Sequence, residues 1–326
     1  MKKVIVTGGC GFIGSHLSEK LVNLGIDVVI LDNLSTGRLE NIKEFKKKVK
    51  FYRVDISNKK KIAKFFKNID VVFHCAALAD IVPSIENPDL YFRSNVLGTQ
   101  NIASLSVENK VKKIIYTASS SCYGIAKKIP TKENSDINPK YPYALTKFLG
   151  EEILVHWSKL FNINLVSLRL FNVYGPRSRT SGTYGAMFGT FLAQKISGSP
   201  LTIVGNGKQT RDFTYISDVV DVLYKASISN IKNEIFNVGS GANVSVNYIA
   251  KLIGGKIVKI PKRPGEPFKT YANITKVKKK LNWKPKVKIE KGVEILLKNI
   301  HYWKKAPVWT PLKIKKATRK WFKYIK

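Results

Sequence analysis

Tyr143 and Lys147 stand four apart in "YPYALTKFLGEEI", the spacing that places two side chains on one face of a helix, one turn from each other. An ammonium held near a phenol favours the phenolate and lowers the tyrosine pKa toward the range of a general base. The pattern arises readily by chance in a lysine-rich chain, where a solvated surface helix is the plainer reading. A second stretch is "YTASSSCYG", residues 116–124, in which three consecutive serines close an apolar run with no carboxylate beside them. Cys10, Cys75 and Cys122 are odd in number and widely spaced, and His16, His74, His156 and His301 form no H-x-x-x-H pair. Reduced thiols and a metal-free protein are therefore expected.

The third candidate is "TGGCGFIG" at the end of the first apolar run. Gly9, Gly11 and Gly14 satisfy G-x-G-x-x-G, and Gly8, Gly11 and Gly14 satisfy the looser G-x-x-G-x-x-G. Such a turn lets backbone approach a pyrophosphate at the N-terminus of a helix, here one beginning near Phe12 and Ile13. About twenty residues on, Asp32 ends "DVVILD", where a carboxylate can hold a ribose diol. That acid repels a 2′-phosphate, so NAD is expected rather than NADP. Arg38, just beyond, is the counter-evidence. The positive charge of bound NAD+ would also help to lower the Tyr143 pKa.

These groups need a scaffold, and the chain alternates accordingly. "KVIVTG", "DVVILDN", "KFYRVDI", "DVVFHCAA", "KIIYTASS" and "NLVSLRLFNV" are short β-branched runs separated by helix-length amphipathic stretches. That order predicts an α/β fold, a doubly wound parallel sheet covered on both faces. After Asn172 the pattern loosens around Gly and Pro, which predicts a smaller mixed region. The 326 residues suffice for one large or two modest domains, and the composition is that of an ordinary soluble protein. No apolar run approaches a membrane span, and the three-residue apolar stretch after Lys3 is too short for a signal sequence. A cytoplasmic location is expected. The net charge of +35 comes overwhelmingly from lysines spread along the chain. That favours a solvated surface over a nucleic-acid face, and it also suits a polyanionic small substrate.

Taken together, "TGGCGFIG", the Asp32 strand end, "SSSCYG", Tyr143-x-x-x-Lys147 and "RLFNVYGP" resemble the extended short-chain dehydrogenase/reductase family, most closely its nucleotide-sugar 4-epimerases, over roughly residues 1–300. The resemblance implies a Rossmann-type NAD domain (1–171 plus about 212–240), a nucleotide-sugar domain (172–211 plus about 241–305) and a basic tail (306–326). It implies Tyr143 as base, Lys147 as anchor of the nicotinamide ribose, and Ser119 as the hydroxyl that binds the sugar 4-oxygen. Cofactor contacts would extend to Asn33, Ser35, Thr36 and Gly37, to Asp55 and Ile56 at the adenine, and to Ala76, Ala77, Ala79 and Asn95. Substrate contacts would come from Ser84, Ser121, Asn172 and Thr202, with Arg211 and Arg263 clamping the diphosphate. More plainly, Asp55 could end a strand, and Ser84 and Asn95 could be helix caps.

The serines gain meaning from the same resemblance. Relatives that dehydrate a sugar carry an Asp-Glu pair where Ser120 and Ser121 stand, because elimination needs both an acid and a base. Without it, transient oxidation and re-reduction at C4 of a UDP-hexose is the chemistry left. A position after the second arginine separates plain-hexose sites, which carry a bulky aromatic, from sites admitting N-acetylated sugars. Thr270 falls there and its small side chain leaves room for an acetamido group, so UDP-N-acetylglucosamine as well as UDP-glucose is expected; Tyr271, one residue away, would reverse that expectation if it held the position instead. Asn273, where relatives commonly have aspartate, and Ala79 depart from the pattern. A UDP-glucuronate epimerase remains open, as does a non-catalytic dinucleotide- or RNA-binding protein, although the latter needs none of Ser119, Tyr143 and Lys147. Homodimerisation through residues 90–107 and 144–160 is implied. In the tail, Leu312, Ile314, Ala317, Trp321 and Ile325 recur near helical spacing among lysines. This face could lie on an anionic membrane or pack on its own domain.

Overall fold

A computed structural model describes residues 1–178 and 187–325 of the chain. Each of the six runs forms a strand: β1 (Lys3–Thr7), β2 (Asp27–Asp32), β3 (Lys50–Arg53), β4 (Val71–His74), β5 (Lys113–Ser119) and β6 (Asn164–Leu170). Short strands follow as β7 (Val173–Tyr174), β8 (Leu201–Val204), β9 (Thr210–Arg211), β10 (Thr214–Tyr215), β11 (Glu234–Val238), β12 (Val244–Ser245) and β13 (Ile257–Ile260).

Seven strands form one sheet in the order β11-β6-β5-β4-β1-β2-β3, every pair parallel. Helices cover both faces, so Val4, Ile5 and Val6 are all fully buried, as the unbroken apolar runs require. The order reverses at β1, which lies between β2 and β4. In such sheets the crevice at the carboxyl ends of the strands around that reversal binds ligand. Thr7, Asp32, His74 and Ser119 end β1, β2, β4 and β5 there.

Two helices matter most to the site. Phe12–Asn23 starts directly after the glycine turn. Pro142–Phe161 has proline in its first turn, where the missing N–H costs nothing, and lies close on β5. A Cβ at its Gly150 would come within 2.7 Å of the Tyr116 hydroxyl.

Beyond β6 the architecture is mixed. β8 pairs in parallel with β13, β9 antiparallel with β12, and β10 in parallel with β7. The main core runs without interruption from Val4 and Ile30 to Phe191, Trp283 and Trp303. The tail forms the helices Pro311–Ala317 and Arg319–Tyr324, and its apolar face lies on its own chain. Ile314 and Trp321 are buried in a small cluster with Val82 and Ile260, whereas Leu312 is 76% exposed. Among the described residues no helix is long and apolar enough to cross a membrane.

Candidate active site

The glycine turn is built for close approach. Gly8 has φ +67°, and a Cβ there would lie 2.7 Å from the Ala76 Cα. At Gly14 a Cβ would run into the Gly8 carbonyl oxygen. Gly14→Ala is therefore expected to force turn and helix apart and to lower dinucleotide retention about tenfold or more, read as NAD released on denaturation; undiminished NAD would contradict that role for the turn. Asp32 is buried, and its carboxylate accepts the Cys10 N–H at 2.9 Å and the Leu34 N–H at 2.7 Å. Burial pushes its pKa up while those two bonds pull it down. Arg38 lies over the Tyr302 ring at 4.6 Å and donates to Asn41 at 3.2 Å. These contacts give it a structural role, which removes much of its force as evidence for a 2′-phosphate.

Just past Asp32, Asn33 donates to Asp55 at 3.1 Å and its own side-chain oxygen accepts the Ser35 N–H at 2.9 Å. Burial raises the Asp55 pKa, but bonds from Ser57 and Asn33 outweigh it and hold the carboxyl below its ordinary value. Gly37 passes so close to Asp32 that a Cβ would sit 2.7 Å from a carboxylate oxygen. The Ile56 side chain is in the core beneath Gly98. Asn95 corrects its expectation. It is buried, accepts the Leu78 N–H at 2.8 Å, and donates to the Leu78 carbonyl and to Thr146, both at 3.0 Å. It fixes the 75–79 loop and caps no helix.

At the end of β5 the chemical groups meet. The Tyr143 hydroxyl donates to Ser119 Oγ at 3.1 Å, and Ser119 Oγ lies 2.7 Å from Ser121 Oγ. Ser119 also accepts the Ser121 N–H at 3.2 Å as an N-cap, which fixes its rotamer. Lys147 is buried one turn after Tyr143, with Nζ 4.1 Å from the centre of the Tyr116 ring. Burial lowers its pKa to about 7. The tyrosine differs from the expectation. Burial pushes the Tyr143 phenol up, and it is the serine hydroxyls, rather than Lys147, that pull it down.

A second cluster lies across the crevice. Arg211 donates to Glu266 at 2.9 Å, and the Arg263 guanidinium is 3.8 Å from the other oxygen of the same carboxylate. Both expected clamp residues thus aim at one anion, and Glu266 is a member the sequence did not reveal. Thr270 donates to the Asn172 side chain at 3.3 Å and accepts the Asp212 N–H at the same distance. Two expectations need correction. Thr202 is buried with its hydroxyl accepting from Gln194 at 2.8 Å, and Ser84 is fully buried inside the helix Ile81–Glu86, donating to the Ile81 carbonyl at 2.6 Å. Neither presents surface to a substrate, and Ser84 is no cap.

Residues 4–239 match the family model described as NAD dependent epimerase/dehydratase family. The chain belongs to this family. A UDP-glucuronate 4-epimerase from Thermodesulfobacterium geofontis is 35% identical over 307 residues, 89% of this chain and 93% of that one. Among solved structures, a UDP-glucose 4-epimerase with UDP-glucose from Thermotoga maritima superposes with a TM-score of 0.87 at 32% identity, covering 93% and 99% of the two chains. A UDP-N-acetylglucosamine 4-epimerase from Methanobrevibacter ruminantium does so with 0.85 at 30% identity, covering 91% and 99%.

NAD is the cofactor of this epimerase/dehydratase family member, and the glycine turn that opens the helix Phe12–Asn23 at the carboxyl end of β1 fits a pyrophosphate at that helix N-terminus. The collisions a Cβ at Gly8 or Gly14 would make, with the Ala76 backbone and the Gly8 carbonyl, show how tightly the turn packs on its own backbone. The residues that open "RLFNVYGP" and follow Lys147 in "YPYALTKFLGEEI" form a buried support beneath the serine turn, a role the sequence did not reveal. Arg169 on β6 and Glu151, one turn past Lys147, form an ion pair with side chains 4% and 1% exposed. Glu151 also accepts from Ser167 at 2.6 Å, and Arg169 donates to the Tyr123 hydroxyl and the Glu133 carbonyl, each at 2.9 Å. Tyr123 donates on to Asn237 at 2.7 Å. Burial works against the Arg169 charge, but Glu151 outweighs it and the guanidinium is held more firmly protonated than usual.

Proposed function

We propose that this chain epimerises UDP-hexoses at C4 through a 4-keto sugar, acting on the UDP-glucose/UDP-galactose pair and on the UDP-N-acetylglucosamine/UDP-N-acetylgalactosamine pair. The observation that carries this is the hydroxyl relay Tyr143, Ser119, Ser121 at the end of β5, built from groups that move one proton. Bound NAD supplies a nicotinamide ring that can take up and give back hydride at C4. Tyr143 removes the 4-hydroxyl proton and later returns it, while Ser119 holds the 4-oxygen and shares the proton. Lys147 anchors the nicotinamide ribose. Ser120 and Ser121, standing where a dehydratase carries its Asp-Glu pair, leave elimination without that carboxylate acid and base.

Arg211 and Arg263 would hold the diphosphate in place of the Glu266 carboxylate while the sugar turns its other face. Binding energy remote from C4 then keeps the keto sugar from escaping. On this reading residues 172–211 and about 241–305 form the nucleotide-sugar side of the crevice. Leu90, Phe92, Leu97 and Leu145, exposed on the stretches 90–107 and 144–160, suit the proposed homodimer.

Thr270 is the ground for the acetamido substrate: its hydroxyl joins the side chain of Asn172, one of the proposed substrate contacts, and a small residue there would leave room that a bulky aromatic would fill. Thr270→Tyr is expected to lower activity on UDP-N-acetylglucosamine about tenfold or more and leave UDP-glucose within about threefold, and unchanged selectivity would show that this position does not set it. The function itself is tested by incubating the purified protein, without added cofactor, with UDP-glucose, UDP-N-acetylglucosamine or UDP-glucuronate and following C4 epimers by NMR. Conversion of either of the first two supports the reading. Conversion of UDP-glucuronate alone replaces it with the uronate epimerase.

A further inference from the structure

The tail reaches the site. Trp321, 178 positions beyond Tyr143, is 3% exposed. Its Nε1 donates to the Pro264 carbonyl at 2.8 Å, and its ring lies 5.6 Å from the Arg263 guanidinium. It also sits 6.3 Å from the Tyr141 ring, which lies parallel to Tyr143 with centroids 6.4 Å apart and planes within 6°. Next along, Ile325 approaches Gly265 so closely that a Cβ there would be 2.5 Å from its methyl. Gly265 has φ +68°, so that turn is doubly restricted to glycine. The other end of the segment is tied down by Gln194, which donates to the Trp309 carbonyl at 2.7 Å.

From these contacts we infer that residues 309–325 form a strap across the substrate crevice and that Trp321 is a positioning residue for the diphosphate clamp. Arg263 and Glu266 ride on the 263–266 turn, and Trp321 holds that turn twice, by its N–H on Pro264 and by its ring face under Arg263. A cation over an indole is drawn to the ring, so the guanidinium is kept beside the Glu266 carboxylate that Arg211 also holds. Trp321 also bears on Tyr141, coupling the clamp to the segment that presents Tyr143. The cluster around Trp321 is separate from the main core, so its loss changes the crevice wall and leaves the body of the fold intact.

The inference rests on the clamp reading above, and the test separates the two. UDP binding is measured by calorimetry on the wild type, Trp321→Ala, Trp321→Phe and Leu312→Ala, the last removing an exposed tail side chain. KM and kcat follow with whichever UDP-sugar is converted. Trp321→Ala is expected to weaken UDP binding about tenfold and raise KM by a similar factor, with kcat within about threefold and bound NAD unchanged. Trp321→Phe, which keeps a ring face but loses the N–H, should fall between, and Leu312→Ala should match the wild type. If Trp321→Ala does not fold, Trp321→Phe alone decides by its KM. A wild type that does not bind UDP would sink the clamp reading. A wild type that binds UDP, with a folded Trp321 variant binding it equally well, would sink the strap. A variant that lost NAD and active fraction at unchanged KM would show a merely structural tail.

Discussion

Replacing Tyr143 by phenylalanine is expected to lower kcat by about 10²–10⁴-fold, the range a positioned general base contributes, while KM and bound NAD stay near the wild-type values. The change deletes one oxygen. It removes the donor to Ser119 Oγ at 3.1 Å and leaves the ring, parallel to Tyr141, in place. The glycine turn, Asp32 and the Arg211–Glu266–Arg263 cluster share no contact with that hydroxyl, so cofactor and diphosphate binding should survive. Because burial raises the Tyr143 phenol and the serine hydroxyls pull it back in part, kcat should rise with pH on the acid limb as the phenol ionises. A variant within about tenfold of wild type would mean that another group takes the proton.

Arg169→Met is expected to be the most destabilising of the changes considered, by about 3–5 kcal/mol, because it leaves the Glu151 carboxylate buried without its cation. Glu151 keeps only the Ser167 hydroxyl at 2.6 Å. The Tyr123 hydroxyl and the Glu133 carbonyl lose their donor as well. Urea denaturation should show the loss as a lowered midpoint at an unchanged slope. Removing both charges, as Glu151→Leu with Arg169→Met, should recover part of it, since the isolated charge is the costly state. A single variant within about 1 kcal/mol of wild type would show that the pair contributes little. The consequence for the site is direct, because Tyr123 follows the serine turn.

Much of this architecture is legible in the residues themselves. Five of the six runs become buried strands because a parallel sheet covered on both faces needs largely apolar segments, while the sixth, β3, is the mostly exposed edge strand. The glycine turn, Asp32 and the Tyr143/Lys147 spacing are likewise local patterns, each fixed by a turn or one helical step. Long-range pairing is not local. Glu151 and Arg169 are 18 residues apart, and Glu266 meets Arg211 across 55. Arg169 and Glu151 each stand in a recognisable stretch, but no local spacing shows that either pair meets. The two-residue strands β7, β9, β10 and β12 are equally hidden, being too short to show a period.

The direction of a polar side chain is the other thing a motif leaves open. Asn95, Ser84 and Thr202 occupy positions the family resemblance assigns to ligands, yet each is buried and turned onto protein. Residue type names what a group can do, and packing decides whom it faces. The same holds for Lys147. Its spacing from Tyr143 suggests charge on the phenol, whereas its nitrogen lies against the Tyr116 ring. The tail's amphipathic face could not choose between lipid and protein from spacing alone. In the structure Ile314 and Trp321 of that face pack against Val82, Ile260 and the Pro264 carbonyl, while Leu312 stays exposed.

The most direct test of the central claim is an isotope measurement. UDP-glucose and UDP-N-acetylglucosamine deuterated at C4 are each incubated with the purified protein and no added NAD, and the product is analysed by NMR and mass spectrometry. The account predicts the C4 epimer of at least one sugar with the deuterium still on C4 and no NADH accumulating, since the hydrogen leaves and returns within one active site. Epimer that has lost its C4 deuterium to solvent, or a dehydrated or decarboxylated product, would contradict it.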